Sequence, residues 1–236
     1  MRVPANARTS LSGAFQNIYL QVDDQIYGWG SNTKCQLSEP KCRLIDKPTV
    51  VYSGSRVSQL NVGKNFVCFL DVDRFVLMGS LKELESLIAV DAQNIQSAKT
   101  PADKVRMLAM WSSVHLSARN RVLSYGHGTH GQLLKDPAPG HITTLAVGSE
   151  HGIMCTEGKA VFCWGWGEHG NCGRLQQTGA TCECGNDDEE ENDGSNVVSP
   201  LNPVYEAKKD ETVVSCFGGC ATTWICIFNP TLVAAP

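Results

Sequence analysis

A chain of 236 residues with 42% hydrophobic and 19% charged side chains can bury a core of its own and has the composition of a soluble globular protein. Its net charge of −4 hides an asymmetry: seven of the 24 acids fall between positions 183 and 193 with no base among them. The rest, 17 acids against 20 bases, excludes the concentrated basic patch of a nucleic-acid binder, and 22 glycines favour tight turns over long helices.

In chain order, one composite unit recurs: a turn, an apolar strand, a short polar turn, a second strand and a closing glycine. The first copy runs from Gly13 through Ile18-Tyr19-Leu20 and Asp23-Asp24 to Gly28-Trp29-Gly30. The second runs from Gly63-Lys64-Asn65 through Phe66-Val67-Cys68-Phe69-Leu70 to Gly79, and the third, with Trp111 in place of the leading glycine, to Tyr125-Gly126. The fourth opens on Gly148-Ser149-Glu150-His151 and closes on Cys163-Trp164-Gly165. A fifth begins at Phe217-Gly218-Gly219 and stops after its first apolar strand at 224–228.

Leading position and closing glycine are 17, 16, 15 and 17 residues apart (13 to 30, 63 to 79, 111 to 126, 148 to 165). A near-constant span is the mark of a hairpin, whose geometry cannot stretch. The closing glycines themselves are 49, 47 and 39 residues apart, so the variation falls in connecting loops, where insertions cost little. Constant hairpins at a period near 50 predict β-propeller blades: an all-β fold of about four and a half blades in one partial propeller over 1–236. The pairs Gln36-Leu37 and Gln132-Leu133 follow closing turns and predict a leucine packed between blades.

Two inserts stand out. Ser80-Leu81-Lys82-Glu83 has the form of a capping box, and Leu81, Leu84, Leu87 and Ile88 recur at helical spacing, which predicts a short helix over 81–90. Residues 176–199 are polar, acidic and poor in aliphatics, which predicts a disordered acidic loop.

No catalytic constellation emerges. The 11 cysteines form no C-x-x-C pair, and G-x-S-x-G, H-E-x-x-H and Walker-type patterns are missing; the G-x-G-x-x-G spacing at 126–131 and 165–170 falls on the closing glycines of the repeat and is not read as a nucleotide loop. His115 and His151 fall at nearly the same place in their copies and are expected to order turns by hydrogen bonding; His127-x-x-His130 has no carboxylate or cysteine beside it. The expectation is a non-enzyme with no metal and no cofactor. Residues 1–15 lack the apolar centre of a signal peptide, and the strongest apolar run, 224–228, is too short to span a bilayer. An odd number of cysteines without a secretory signal suits a reducing compartment, so the expected location is cytoplasmic and nuclear, with no membrane contact.

Partner-binding residues are then expected at corresponding turns of successive blades: Lys64, Asn65, Trp111, Glu150 and His151. Beyond the repeat's own needs, Trp166, Glu168 and His169 in Cys163-Trp164-Gly165-Trp166-Gly167-Glu168-His169-Gly170-Asn171-Cys172-Gly173 join them as recognition residues.

These strings resemble the repeats of the regulator-of-chromosome-condensation propellers, through Gly148-Ser149-Glu150-His151 and through Trp29-Gly30-Ser31-Asn32 with Gln36-Leu37. Within that class the chain is similar to the fungal α-tubulin suppressor (killer-toxin-insensitivity) propellers. That likeness rests on Tyr27-Gly28-Trp29-Gly30-Ser31-Asn32-Thr33-Lys34-Cys35-Gln36-Leu37, Gly128-Thr129-His130, Gly148-Ser149-Glu150-His151-Gly152 and the Cys163–Gly173 string. The resemblance implies a seven-bladed ring, of which this chain lacks the N-terminal blades, as an incomplete gene model or fragment would. It implies a scaffold that binds a small zinc protein of diphthamide synthesis, and that supports diphthamide formation and Elongator-dependent modification of the tRNA wobble uridine. Contacts with Elongator and tubulin-linked factors would be indirect. The wider class implies an alternative, guanine-nucleotide exchange on a small GTPase, for which the acidic insert at 183–193 is the candidate loop.

Overall fold

The computed structural model describes residues 2–96, 105–118, 120–135, 137–157, 159–173 and 198–233. It folds as two compact units, Met1–His127 and Gly128–Pro236. Each is built of antiparallel sheets whose strands follow chain order, as propeller blades do.

In the first unit, blade 1 comprises β1 (Thr9–Ala14), β2 (Asn17–Val22), β3 (Gln25–Asn32) and β4 (Cys42–Ser53). Blade 2 comprises β5 (Val57–Val62), β6 (Phe66–Asp71) and β7 (Arg74–Gly79), and blade 3 comprises β8 (Arg106–Ala109), β9 (Ser113–Ala118) and β10 (Arg121–Gly126). The second unit holds blade 4, with β11 (Ile142–Val147), β12 (His151–Thr156), β13 (Ala160–Trp166) and β14 (Val198–Glu206). Blade 5 there has two strands, β15 (Thr212–Gly218) and β16 (Thr223–Phe228), followed by the single turn α2 (Pro230–Val233).

The fully apolar run of β6 explains how blades stack. Successive side chains of a strand point to opposite faces. Val67 and Phe69 therefore enter a cluster with Tyr19, Ile26, Leu37 and Val57 toward blade 1. Phe66, Cys68 and Leu70 enter a second cluster with Met107, Val114 and Leu116 toward blade 3. Leu37 is wholly buried between blades, as its place in the repeat predicts, whereas Leu133 is half-buried and Gln132 beside it lies deeper.

The buried cysteines serve this packing. Cys155, Cys163, Cys172 and Cys216 share the cluster between blades 4 and 5, and burial pushes the thiol of Cys163 up to about 12 and those of Cys172 and Cys216 to about 11. Such thiols stay protonated and behave as small hydrophobes.

The four closing glycines hold one joint. Gly30, Gly79, Gly126 and Gly165 have φ of 121°, 105°, 119° and 103°, and each pairs with the first residue of the preceding strand: Asn17, Phe66, Ser113 and His151. The residue after each glycine donates its N–H to the carbonyl just before that strand: Ser31 to Gln16, Ser80 to Asn65, His127 to Ser112 and Trp166 to Glu150, at 2.9–3.3 Å. A Cβ on any of these glycines would lie 2.0–2.6 Å from that same carbonyl oxygen.

The structure shifts the leading position. Gly63, Met110, Gly148 and Gly219 each donate N–H to the residue three places on, and Ala14 pairs with Asn17 in the corresponding place. Met110, not Trp111, and Ala14, not Gly13, are therefore the leading residues. The spans become 16, 16, 16 and 17 (14 to 30, 63 to 79, 110 to 126, 148 to 165).

The helix is present but longer and capped differently. Lys82–Leu84 form a 3-10 turn and α1 spans Glu85–Gln96. Leu81 occupies the N-cap with no side-chain bond, so Ser80 and Glu83 form no capping box. Glu85 instead accepts the Leu77 N–H at 2.9 Å and pairs with Lys82 at 2.7 Å, tying the helix to β7. Ile88 and Ala92 are buried with Leu81, while Leu87 is exposed. The acidic insert lies outside the described residues up to 197; Val198 and Ser199 begin β14, where Ser199 is buried opposite Gly165.

His115 and His151 prove inequivalent. His151 is the first residue of its strand and His115 the third. The His115 ring is wholly buried between the hydroxyls of Ser113 and Ser124, at 2.9 Å each, and burial pushes its pKa down to about 3. Above pH about 6.5 the ring is neutral in folded and unfolded chains alike. Below it, the unfolded chain takes up a proton that the folded chain refuses until about pH 3, so stability falls on acidification. Urea denaturation should show about 2 kcal/mol lost between pH 7 and pH 5 through this ring. His115→Gln should flatten that part of the pH profile; an unchanged slope would mean that His115 is protonated in the native state.

Candidate partner-binding surfaces

The structure gathers the expected site residues into two groups, one in each unit. In the first, the residues that follow the leading positions of blades 1, 2 and 3 are Phe15, Lys64 and Trp111. They converge. The Phe15 and Trp111 rings meet edge to face at 5.9 Å, and the Lys64 ammonium lies 4.5 Å from the Phe15 centroid and 5.7 Å from that of Trp111. Cation–π attraction of this kind contributes about 0.5–1 kcal/mol at an exposed site. The Lys64 N–H donates to the Trp111 carbonyl at 2.9 Å, so the two turns are stitched by backbone as well. Asn65 is half-buried, and its carbonyl belongs to the glycine joint of blade 2.

In the second unit, Trp166 ends β13 and carries the His130 ring stacked at 4.8 Å and 24°, with His169 at 6.3 Å on a neighbouring turn. The turn from Gly167 to Gly170 is closed by an N–H to carbonyl bond of 2.9 Å and exposes Glu168 and His169. Trp166 is half-buried, and its Nε1–H is buried with no acceptor among the described residues.

Glu150 and His151 point inward. Glu150 is 9% exposed and accepts from the Gln132 side chain at 3.1 Å; His151 is 1% exposed. The Thr223 hydroxyl donates to the Asn171 carbonyl at 2.7 Å and faces His151 Nε2 at 3.1 Å, which assigns the Nε2 proton to His151 and joins blades 4 and 5. Burial lowers the His151 pKa. These two side chains brace the second unit, and the exposed contact area falls to Trp166, Glu168 and His169.

Two members were missed from the sequence. Phe15 holds the same place in blade 1 as Lys64 and Trp111 in theirs, and counting from Gly13 hid it by one residue. His130 joins Trp166 by stacking, a contact that its spacing from His127 does not foretell. Among the described residues no three His, Cys, Asp or Glu side chains gather as a metal site. Among the described residues, too, no helix is long and apolar enough to cross a membrane.

Residues 142–171, which are β11 to β13 and the turn beyond, match the regulator of chromosome condensation (RCC1) repeat. An RCC1 repeat-containing protein of Schizosaccharomyces pombe is 24% identical over 150 residues, 63% of this chain and 42% of that protein. In fold, the chain is similar to human WBSCR16, with a TM-score of 0.61 at 12% identity over 96% of this chain and 59% of that one. It is also similar to yeast RCC1 (Prp20), solved bound to Kap60, with a TM-score of 0.57 at 15% identity over 91% and 53%. The chain thus spans less than half the length of the curated relative and a little over half of each solved neighbour. Its hairpins, its glycine joints and these likenesses agree on the fold: residues 142–171 match the RCC1 repeat, and the chain folds as blades of an RCC1-type β-propeller.

Proposed function

We propose that this chain is a non-catalytic scaffold that binds a small zinc-containing protein of diphthamide synthesis, and through it supports diphthamide formation and Elongator-dependent modification of the tRNA wobble uridine. The support is the long motif strings it shares with the fungal suppressor propellers, together with one observation: three successive blades present Phe15, Lys64 and Trp111 as a single half-exposed cluster. Tryptophans ringed by such contacts are the usual anchors of protein interfaces. The reading puts the chain in cytoplasm and nucleus, with the zinc held by the partner.

A pull-down with the small zinc protein tests it. The wild-type chain is expected to retain the partner, and Trp111→Ala and Trp166→Ala, which probe the two units separately, each to weaken retention about tenfold or more. A wild-type chain that retains nothing would sink the reading.

A second reading, guanine-nucleotide exchange on a small GTPase, draws support from the fold shared with yeast RCC1. Its test is release of a fluorescent guanine nucleotide from candidate GTPases, which the chain must accelerate.

A further inference from the structure

Phe15 holds a strained backbone position, one that Asp23 and Val72 share in the corresponding turns of other hairpins. It is the first of two residues, Phe15 and Gln16, in the tight turn between β1 and β2, and its φ is +56°. That position of a two-residue hairpin turn favours glycine, because a Cβ crowds the following carbonyl. Here a large aromatic occupies it, and the residue is still 57% exposed. A residue chosen for packing would bury its ring, and one chosen for the turn would be glycine. Strain kept at an exposed position is a mark of binding sites.

What the ring does is visible. With Trp111 it flanks the Lys64 ammonium, and the Lys64 backbone is fixed by its bond to the Trp111 carbonyl. Among the described residues no carboxylate pairs with Lys64. The outcome is a cation whose side-chain freedom has been reduced before any partner arrives, beside apolar walls that strengthen a charge contact. One cation is too few for a phosphate backbone, whose affinity comes from several such contacts. It suits one carboxylate in a peptide whose neighbouring side chains lie on the rings.

We propose that Phe15, Lys64 and Trp111 form a receiving site for an acidic segment of a protein partner, with one of its carboxylates on Lys64. The proposal rests on the scaffold reading in taking the partner to be a protein, and it adds Phe15 and the chemistry of the contact.

The test titrates the whole chain with a labelled ten-residue glutamate peptide, with a ten-residue glutamine peptide and a ten-nucleotide thymidylate strand as comparisons. The glutamate peptide should bind about tenfold tighter than the glutamine peptide, one ion pair's worth of discrimination. Lys64→Ala and Phe15→Gly should each lose most of that preference, and Lys64→Arg should keep it. Phe15→Gly should also melt at the same temperature as the wild type or higher, because the turn favours glycine. Binding lost while folding is kept is the outcome that a packing role cannot produce. Equal binding of the glutamate and glutamine peptides, or tighter binding of the thymidylate strand, would overturn the proposal. A chain that prefers glutamate yet does not retain the small zinc protein would leave this site standing and remove the scaffold reading; retention that survives Lys64→Glu would do the reverse.

Discussion

Trp164→Ala is expected to remove about 3–5 kcal/mol from the stability of the Gly128–Pro236 unit, a large share of what a unit of that size possesses. Three features concentrate the loss on one residue. The ring is 1% exposed, so its truncation empties a large volume that rigid blade backbones cannot collapse to fill. Its Nε1–H donates to the Gln132 carbonyl at 3.0 Å, a bond between the loop before blade 4 and the blade itself. Its six-membered ring also lies against Gly152 so closely that a Cβ there would come within 2.1 Å. Trp164→Phe keeps much of the volume but loses the donor, and about 1–3 kcal/mol is expected. Chemical denaturation followed by circular dichroism distinguishes them. A loss below about 1 kcal/mol for the alanine variant would show that the blade relaxes around the cavity.

Gly30→Ala should cost about 2–4 kcal/mol by a different route, with no cavity left behind. At φ of 121° the alanine backbone is strained, and its Cβ would lie 2.0 Å from the Gln16 oxygen, so either the joint opens or the strand shifts. Gly170 supplies the control. It also has positive φ, 75°, but nothing among the described residues lies within 4 Å of the Cβ position. Gly170→Ala should therefore cost about 1 kcal/mol, the conformational penalty alone. Equal losses at Gly30 and Gly170 in thermal melts would mean that the carbonyl contact carries no weight.

What could be read from the sequence follows from which constraints act locally. A closing glycine, its turn and its apolar partner strand sit within 17 residues, so each hairpin was legible, and so was Leu37 between blades. The outer strands were not. β4 carries Arg43, Asp46, Lys47 and Pro48, is mostly exposed and pairs with β3 through register shifts, so no alternation marks it. An edge strand tolerates proline because one side of its backbone has no ladder to serve. The helix was legible in its inner face, and misjudged in its cap because Leu81, not Ser80, holds the N-cap and no side chain closes it. Of the candidate site, Lys64 and Trp111 were found and Phe15 was not. Alignment on glycines placed the leading position one residue off in the two blades where it is Ala14 and Met110. Glu150 and His151 were found as corresponding turn residues, but exposure cannot be read from correspondence.

The glycine joint also bears on how such chains diverge. Each joint is a bond between two main-chain groups, and the only side-chain requirement is that one position have none. Drift is then free almost everywhere else, provided that hydrophobic character is kept on alternate strand positions. Chains with few residues in common can then share the blade plan, as TM-scores of 0.61 and 0.57 at 12% and 15% identity illustrate. The spacing of positive-φ glycines would then mark such a blade more plainly than overall identity does.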